Sequence, residues 1–276
     1  MRWAPLHAQF AYVIDITKRI VSAYSIGADG ALTPVRGAHV AAGSNPNFVT
    51  VDPTGRFVYV ADTSNAILGY SIGSNGKLTP IAGSPFQDLG EPFSISIDPT
   101  GEFAYVANAA NNTVSSYSIG SNGALTAVPG SPFAAGSNPE SVTVDPTNKF
   151  LYAVNAGDNT ISAYSVGSTG ALTPITGSPF VTPFEPTFVA VDLLGRFAYV
   201  TSAGFVSAYT IGSDGGLTPV PGSPYRTGTD PVSLAVDPTA KFVYVAIDGG
   251  TRDLCLHHRF QRSPDTSPGL ALQSKA

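Results

Sequence analysis

Residues 51–62, VDPTGRFVYVAD, decide the fold because variants of this stretch recur along most of the chain. The other copies are IDPTGEFAYVAN at 97–108, VDPTNKFLYAVN at 144–155, VDLLGRFAYVTS at 191–202 and VDPTAKFVYVAI at 236–247. Their aspartates are spaced 46, 47, 47 and 45 residues apart. A period of this length is typical of propellers and other repeat architectures, in which each repeat is one small structural unit.

Two further phrases alternate with the first and divide each repeat into four strands. One is AYSIGADGALTPV at 23–35, with copies at 69–81, 116–128, 163–175 and 208–220, and the other is GSPF or GSPY shortly after it. Pro-Thr-Gly and Ser-Asn-Gly are turn signals that separate runs of β-branched and aromatic residues. Four strands per 45–47 residues predict an all-β fold, a β-propeller of four-stranded antiparallel blades.

The second strand of each repeat carries a Phe-x-Tyr pair, as in Phe57 and Tyr59 or Phe103 and Tyr105. Both faces of a propeller strand are covered by neighbouring blades. We therefore expect these aromatic rings to supply most of the burial between blades rather than to form a ligand platform.

The repeats predict a propeller over residues 1–250 and a non-repeat tail at 251–276. The expected blades lie near 10–44, 45–90, 91–137, 138–184 and 185–229, followed by a partial blade at 230–250. No recognisable first strand precedes FAYVID at 10–15. We therefore expect about five and a half blades and a propeller that is truncated at both ends.

The tail differs in composition from the repeats, and the genetic code suggests why. A one-base shift of the reading frame permits a string across the tail that matches most of residues 208–225. Our hypothesis is that residues from about 251 onward are a frameshift product. Cys255, His257 and His258 are accordingly not interpreted as ligands or nucleophiles.

Composition and charge exclude several classes of function. The chain has 276 residues and a net charge of −5, which argues against a nucleic-acid partner. One cysteine excludes a disulfide scaffold and a cysteine-based zinc site, and four histidines make a multi-histidine site hard to assemble. We expect no metal, no cofactor and no membrane span. Only 12% of residues are charged, which favours a periplasmic or secreted protein, although the chain has no apolar signal segment.

The repeat phrases resemble those of a known family. The endings YVAD, YVAN and YVTS, with DPTG before them and YSIG, GALTPV and GSPF after them, resemble the YVTN-repeat β-propellers of the lactonase family. The resemblance spans residues 10–247 and implies a seven-bladed ring, which needs about 325 residues at this period. It also implies a 6-phosphogluconolactonase-like activity, that is, hydrolysis of a sugar-type lactone.

Polar residues mark the loops that lead into the first strands. Each of five loops has such a residue directly before a proline, and the regular spacing predicts that all five lie on one rim of the central channel. These residues are Asn45, Glu91, Asn138, Glu185 and Asp230. Asn47 and Glu140 follow directly after the proline in two of the loops, so three of the four glutamates of the chain lie in this zone.

Crowded carboxylates raise each other's pKa and can serve as acid and base. The predicted catalytic residues are therefore Glu91, Glu140 and Glu185. Substrate-binding residues are predicted on the same rim and, for a cation that orients the substrate, just before it: Asn45, Asn47, Asn138, Arg226 and Asp230. A structural interpretation also remains open, because short polar side chains commonly cap a turn before proline.

Two hypotheses follow from these residues. In the first, the protein is an enzyme, a lactone hydrolase of the carboxylic ester hydrolase type, with a small-molecule lactone as substrate. The lactonase family tends to carry His or Arg just after the proline of these loops, and this chain has neither there. In the second hypothesis, the protein is therefore a non-catalytic extracytoplasmic propeller whose rim binds a protein, glycan or cell-wall partner.

Overall fold

The computed structural model describes residues 10–248, 256–262 and 270–274. Within these ranges the regular structure consists of strands β1 to β27, arranged in six antiparallel sheets that correspond to six blades. No helix in the described part of the chain has the length and apolar character needed to cross a membrane. The predictions for residues 1–9 and Cys255, and for the side chains of His257 and His258, lie outside the description. The all-β propeller fold predicted from the repeats is confirmed.

The strands follow the chain blade by blade. Blade one contains β1 Phe10–Asp15, β2 Ile20–Ile26 and β3 Leu32–Ala41. Blade two contains β4 Pro46–Val51, β5 Phe57–Asp62, β6 Ala66–Ile72, β7 Leu78–Pro80 and β8 Phe86–Gln87. Blade three contains β9 Pro92–Ile97, β10 Phe103–Asn108, β11 Thr113–Ile119, β12 Leu125–Ala127 and β13 Phe133–Ala134.

The remaining blades repeat this order. Blade four contains β14 Pro139–Val144, β15 Phe150–Asn155, β16 Thr160–Val166, β17 Leu172–Pro174 and β18 Phe180–Val181. Blade five contains β19 Phe188–Val191, β20 Phe197–Ser202, β21 Phe205–Ile211, β22 Leu217–Pro219 and β23 Tyr225–Arg226. Blade six contains β24 Pro231–Val236, β25 Phe242–Ile247, β26 Leu256–Arg262 and β27 Leu270–Ser274.

The outer edge of blades two to five is divided into two short strands. In blade two, β7 and β8 both pair with β6, and the GSPF segment lies between them. Pro80 ends β7 at this edge, where its missing N–H interrupts no ladder. In blade one the same edge is a single strand, β3, which pairs with β2 along its length except at a register shift between Ser22 and Tyr24.

Blade six takes its outer two strands from the stretch predicted to be a frameshift product. Strand β26 pairs with β25, and β27 pairs with β26. The pairing concerns the backbone alone, so the boundary near residue 251 and the change of reading frame stay predictions.

The aspartate of the repeated Asp-Pro-Thr turn is buried and satisfies the backbone of the turn. Asp145 accepts hydrogen bonds from the backbone N–H groups of Thr147, Lys149 and Phe150 at 2.9, 2.8 and 2.7 Å. The Thr147 hydroxyl donates to the same carboxylate. Asp52, Asp98 and Asp192 are equally buried. These aspartates therefore fix the hairpin between first and second strands, which is the structural role expected from the sequence.

Aromatic residues of each second strand pack against the next blade. Tyr59 is fully buried, and its hydroxyl donates to the carbonyl oxygen of Gly123, 64 residues further on, at 2.7 Å. Tyr152 makes the same bond to Gly215 at 2.9 Å. Burial raises the pKa of both phenols, so the hydroxyls remain protonated donors. The predicted role of the Phe-x-Tyr pairs in the blade interfaces is thus observed.

The innermost strands are joined by serine hydroxyls. The backbone N–H of Val142 in β14 donates to Ser94 Oγ in β9 at 2.9 Å, and that of Val189 in β19 donates to Ser141 Oγ in β14 at 3.2 Å. These amides belong to the free edge of each first strand, which faces the channel. The serines satisfy them and thereby hold neighbouring inner strands in register.

Replacing a hairpin glycine that packs against the preceding blade with alanine should lower the free energy of unfolding more than replacing the equivalent glycine where the described residues leave space for a Cβ. Gly215 has a φ of +84°, and an added Cβ would lie 2.5 Å from both Phe150 Cδ1 and Ile175 Cδ1. Gly30 has a similar φ of +81°, but no atom of the described residues would lie within 4 Å of its added Cβ. Both variants carry the backbone strain of about 1 kcal/mol, and only Gly215→Ala adds an overlap of about 2 kcal/mol.

Urea denaturation of the two variants measures this difference. We expect Gly215→Ala to lower the free energy of unfolding by about 3 kcal/mol and Gly30→Ala by about 1 kcal/mol. Equal losses in the two variants would contradict the packing of the hairpin glycine against the preceding blade.

Candidate functional site

The loops before the first strands share an unusual backbone conformation. Glu91, Asn138, Glu185 and Asp230 have φ angles of 55°, 53°, 49° and 54°, which lie in the left-handed region. Non-glycine residues adopt this region rarely, and it recurs at functional sites when the surrounding structure fixes it. Asn45 precedes the equivalent proline in blade two and is not among the left-handed residues.

Asparagines of the preceding blade hold three of these loops. The backbone N–H of Glu91 donates a hydrogen bond to Asn65 Oδ1 at 3.1 Å. The backbone N–H of Asn138 donates in the same way to Asn112 Oδ1 at 2.8 Å. The backbone N–H of Glu185 donates to Asn159 Oδ1 at 2.7 Å. Sequence reasoning missed these three residues. Their signal was present, since they recur at intervals of 47 residues in the turn after each second strand.

The residues before the prolines do not cap their own turns in these three loops. In these three loops the capping oxygen comes from Asn65, Asn112 and Asn159, and not from the residue before the proline. The side chains of Glu91 and Glu185 are exposed. Neither side chain is therefore needed to cap its own turn.

Glu140 differs from the other two glutamates because it is only partly exposed. It follows Pro139 at the start of β14, and its Oε1 accepts a hydrogen bond from Asn138 Nδ2 at 2.9 Å. Burial raises the pKa of Glu140, the hydrogen bond from Asn138 lowers it, and the negative charge of Glu185 raises it. The mouth of the channel between blades four and five therefore holds two interacting carboxylates and an amide that orients one of them.

The asparagines predicted in blade two are engaged in contacts within the protein. Asn47 Nδ2 donates to the carbonyl oxygen of Phe93 in blade three at 2.8 Å. Asn45 Nδ2 donates to Thr63 Oγ1 at 2.5 Å. The Asn47 amide thus bridges two inner strands, and that of Asn45 fixes its own loop.

Two phenylalanines meet in the interior of the ring, one residue deeper than Asn47 and Thr187. The rings of Phe48 in β4 and Phe188 in β19 have centroids 6.4 Å apart, although blades three and four separate their strands. Phe48 and Phe188 occupy the positions held by Ser94 and Ser141 in the two intervening blades. The contact gives the mouth an apolar floor, and the exchange of Ser for Phe was its only signal in the sequence.

Arg226 and Asp230 lie near the rim but not on its inner strands. Arg226 belongs to β23, which pairs with β21, and its guanidinium carbon lies 5.1 Å from the centroid of the Phe205 ring. Such a cation–π contact directs the charge along the outer part of blade five. Asp230 is exposed, and its carbonyl oxygen accepts the backbone N–H of Asp248 at 2.9 Å.

Other arginines lie at the opposite end of the inner strands. Arg56 and Arg196 follow the turns after β4 and β19, and each lies over the phenylalanine next to it, at 4.9 and 5.6 Å from the ring centroid. Arg196 also bonds to Asp192 at 3.2 Å. These cations stabilise the turns, and they are a strand's length away from the carboxylates at the mouth.

Comparison with known proteins agrees with this architecture. Residues 10–176 and 122–202 match the family model of the lactonases described as 7-bladed beta-propellers. No curated protein matches the chain significantly.

Several solved structures share the fold at low identity. The periplasmic gluconolactonase of Pseudomonas aeruginosa has 17% identity and a TM-score of 0.77, covering 93% of this chain and 76% of its own. A Bacteroides uniformis protein provisionally named a 6-phosphogluconolactonase has 17% identity and a TM-score of 0.80, covering 96% and 80%. A protein of unknown function from Desulfotomaculum acetoxidans has 16% identity and a TM-score of 0.77, covering 96% and 88%.

The family match covers well over half of the chain, and it coincides with the repeats, the blades and the rim described above. The chain therefore belongs to the lactonase family of seven-bladed β-propellers.

Proposed function

We propose that the protein hydrolyses a sugar-type lactone at the mouth of its channel, with Glu140 as the general base. The observation that carries this proposal is the partly buried Glu140 carboxylate, which Asn138 orients at 2.9 Å and whose pKa is raised. A base is most effective when its pKa lies closer to the working pH than that of a fully solvated carboxylate. The name of the Pseudomonas aeruginosa relative, a gluconolactonase, supports the choice of a lactone.

The reaction needs a single base, because the proton that the base takes from water is later given to the departing oxygen. Glu140 accepts a proton from a water molecule as the water oxygen attacks the lactone carbonyl carbon, and a tetrahedral intermediate forms. When the intermediate collapses, the ring C–O bond breaks, and the protonated Glu140 gives its proton to the departing alkoxide oxygen. The product is the open hydroxy acid, and the carboxylate is regenerated. Burial and, to a smaller extent, the negative charge of Glu185 keep the pKa of Glu140 raised. In this proposal Glu91 lies on the same rim.

The substrate should be an unphosphorylated lactone. A phosphate needs arginine, lysine or a helix N-terminus, whereas the mouth presents carboxylates and amides. Arg56 and Arg196 stack on aromatic rings at the other end of the inner strands, and Arg226 lies over Phe205. The apolar floor formed by Phe48 and Phe188 suits the C–H face of a sugar ring.

An extracytoplasmic location is part of this proposal. The low charge of the chain and the periplasmic origin of the Pseudomonas aeruginosa relative support it. Fractionation of cells that produce the protein from its native gene should recover it in the periplasm or the medium. Recovery in the cytoplasmic fraction alone would contradict the location.

A pH-stat assay distinguishes the enzyme from the second hypothesis. In that hypothesis the rim is non-catalytic and binds a protein, glycan or cell-wall partner. Glucono-lactone and 6-phosphoglucono-lactone are offered to the full chain, and hydrolysis is compared with the spontaneous rate. Turnover of the unphosphorylated lactone supports the enzyme and its substrate class. If neither lactone is hydrolysed faster than it hydrolyses spontaneously, the enzyme hypothesis is excluded and the binding hypothesis is retained.

Replacing the base should abolish most of the activity. Glu140→Gln keeps the size of the side chain but cannot accept the proton, so we expect kcat to fall about 100- to 10,000-fold. Glu102→Gln is the matched control, because Glu102 is an exposed glutamate in the turn at the opposite end of blade three. Its activity should equal that of the wild type. A Glu140→Gln variant with wild-type kcat would exclude Glu140 as the base.

The pH dependence of the rate tests the coupling of the two carboxylates. The base must be ionised, so the rate rises with pH through the raised pKa of Glu140, above the ordinary value of 4.5. Glu185→Gln removes the nearby negative charge and therefore lowers the pKa of Glu140. The acidic limb of the kcat/KM profile should move to lower pH in this variant. An unmoved limb, or one moved to higher pH, would contradict the coupling.

A further inference from the structure

The carboxyl group of Asp88 is buried between blades two and three, and the proposed reaction makes no use of it. Asp88 directly follows β8 and is 6% exposed. The hydroxyl of Tyr117 in β11 donates a hydrogen bond to Asp88 Oδ2 at 2.9 Å. Tyr117 is itself buried in the apolar cluster between the two blades. The two side chains therefore join the outer edge of blade two to the third strand of blade three.

In the equivalent interfaces the tyrosine of the third strand donates to an uncharged oxygen. For Tyr70 and Tyr164 the acceptors are backbone carbonyl oxygens. Tyr209 donates to Thr182 Oγ1 at 2.9 Å, and Thr182 has the same position in the repeat as Asp88. A neutral acceptor is therefore sufficient for this bond, and among these four interfaces Asp88 alone makes it ionisable.

The groups that face Asp88 are polar but carry no charge. Ser115 of β11 hydrogen-bonds to the carboxyl group, and Ser115 Oγ accepts a hydrogen bond from Asn108 Nδ2 of β10 at 2.7 Å. The backbone N–H of Gly90 donates to Asp88 Oδ1 at 3.4 Å. Tyr117 is the titratable group of this cluster. Burial raises its pKa, so it remains a protonated donor across the physiological range.

No cation of the described residues forms an ion pair with Asp88. On its own loop the other ionisable group is Glu91, whose side chain is exposed. Taking a carboxylate out of water without a counterion costs free energy, so the uncharged acid is favoured. Burial accordingly raises the pKa of Asp88, and the hydrogen bonds from Tyr117, Ser115 and Gly90 offset only part of this effect.

Asp88 also begins the loop that leads to Glu91 and β9. The backbone N–H of Asp88 donates to the carbonyl oxygen of Asn65 at 3.2 Å, and that of Ala110 donates to the carbonyl oxygen of Gly90 at 3.1 Å. An added Cβ at Gly90 would lie 2.5 Å from the Cβ of Asn108. The loop thus lies directly on blade three, and a weaker contact at Asp88 would loosen it.

We propose that Asp88 is a pH-sensitive switch of the interface between blades two and three and of the loop at residues 88–91. The protonated acid is uncharged and leaves the interface tightly packed. The buried carboxylate makes the interface less stable and loosens the loop. The switch does not depend on the proposed reaction, so it is testable whether or not the protein hydrolyses a lactone.

The sign of the pH dependence follows from the direction of the pKa shift. The folded protein holds the Asp88 proton more tightly than the unfolded chain, in which the pKa has its ordinary value of 3.8. The stability that the acid form contributes is complete below this value. It is lost as the pH rises through the raised pKa of the folded state.

Urea denaturation of the full chain between about pH 4 and pH 8 tests the switch. Asp88→Thr gives this interface the neutral acceptor that Tyr209 already has in Thr182. The urea midpoint of the variant minus that of the wild type should be largest at pH 8 and should shrink as the pH falls to 4. A difference that is constant with pH, or that grows as the pH falls, would overturn the proposal.

The reciprocal variant tests whether the position itself creates the switch. Thr182→Asp places a carboxyl group at the equivalent buried position, and it should lose stability relative to the wild type as the pH rises. Thr173→Asp is the matched control, because Thr173 is exposed on β17 of the same blade. Its stability relative to the wild type should change little with pH. The same pH dependence in both variants, or in neither, would contradict the role of burial.

Amide hydrogen exchange tests the effect on the loop. The protection factor of the Ala110 amide, which donates to Gly90, already corrects for the intrinsic pH dependence of exchange. In the wild type it should fall relative to Asp88→Thr as the pH rises from about 5 to 8. A ratio of the two protection factors that does not change with pH would show that the loop does not respond to Asp88 and would overturn this part of the proposal.

Discussion

The contact of each second strand with the hairpin glycine of the next blade is the constraint on which the structure depends. A buried tyrosine of one blade donates its hydroxyl to a glycine carbonyl 63 or 64 residues further along the chain. The glycine is required because its left-handed backbone approaches the aromatic rings at a distance that leaves no space for a side chain. At one interface the hydroxyl of Ser116 donates to the carbonyl oxygen of the hairpin glycine, Gly170, at 2.7 Å. The acceptor is therefore the equivalent glycine, and only the donor differs.

This constraint also places the rim. Once neighbouring blades are aligned, the serine hydroxyls of β9 and β14 reach the amides of the next inner strand. The loops before these strands are then held by asparagines of the preceding blade. Because the backbone of each loop is fixed by its neighbour, the exposed side chains of Glu91 and Glu185 are not needed to cap their own turns. The conformation of the rim loops thus rests on contacts between blades rather than on any single sheet.

The repeats predict the fold because local and long-range signals agree. The period, the Asp-Pro-Thr-Gly turns and the proline at the outer edge identify four strands and their order, and the sheets contain them as expected. The structural role of the aspartates also follows from the sequence, since a carboxylate before such a turn has backbone amides within reach.

The site could be predicted only in part. Periodicity predicts that Glu91, Glu140 and Glu185 lie on one rim. It does not distinguish the partly buried Glu140 from the two exposed glutamates, because burial depends on the packing of neighbouring loops. The contact of Phe48 with Phe188 joins residues of blades two and five and depends on the curvature of the ring. The engagement of Arg226 with Phe205 is likewise a tertiary contact that no spacing in the sequence indicates.

Amide hydrogen exchange tests most directly whether neighbouring blades support one another through these contacts. Strand β15 is paired on both sides and packed between two blades, whereas β1 is paired only with β2 among the described strands. The account predicts that amides of β15 exchange only through global unfolding. Amides that join β1 to β2 should exchange about a hundredfold faster, through local opening. Equal protection of the two strands would contradict the account, since the stability of a blade would then not depend on its neighbours.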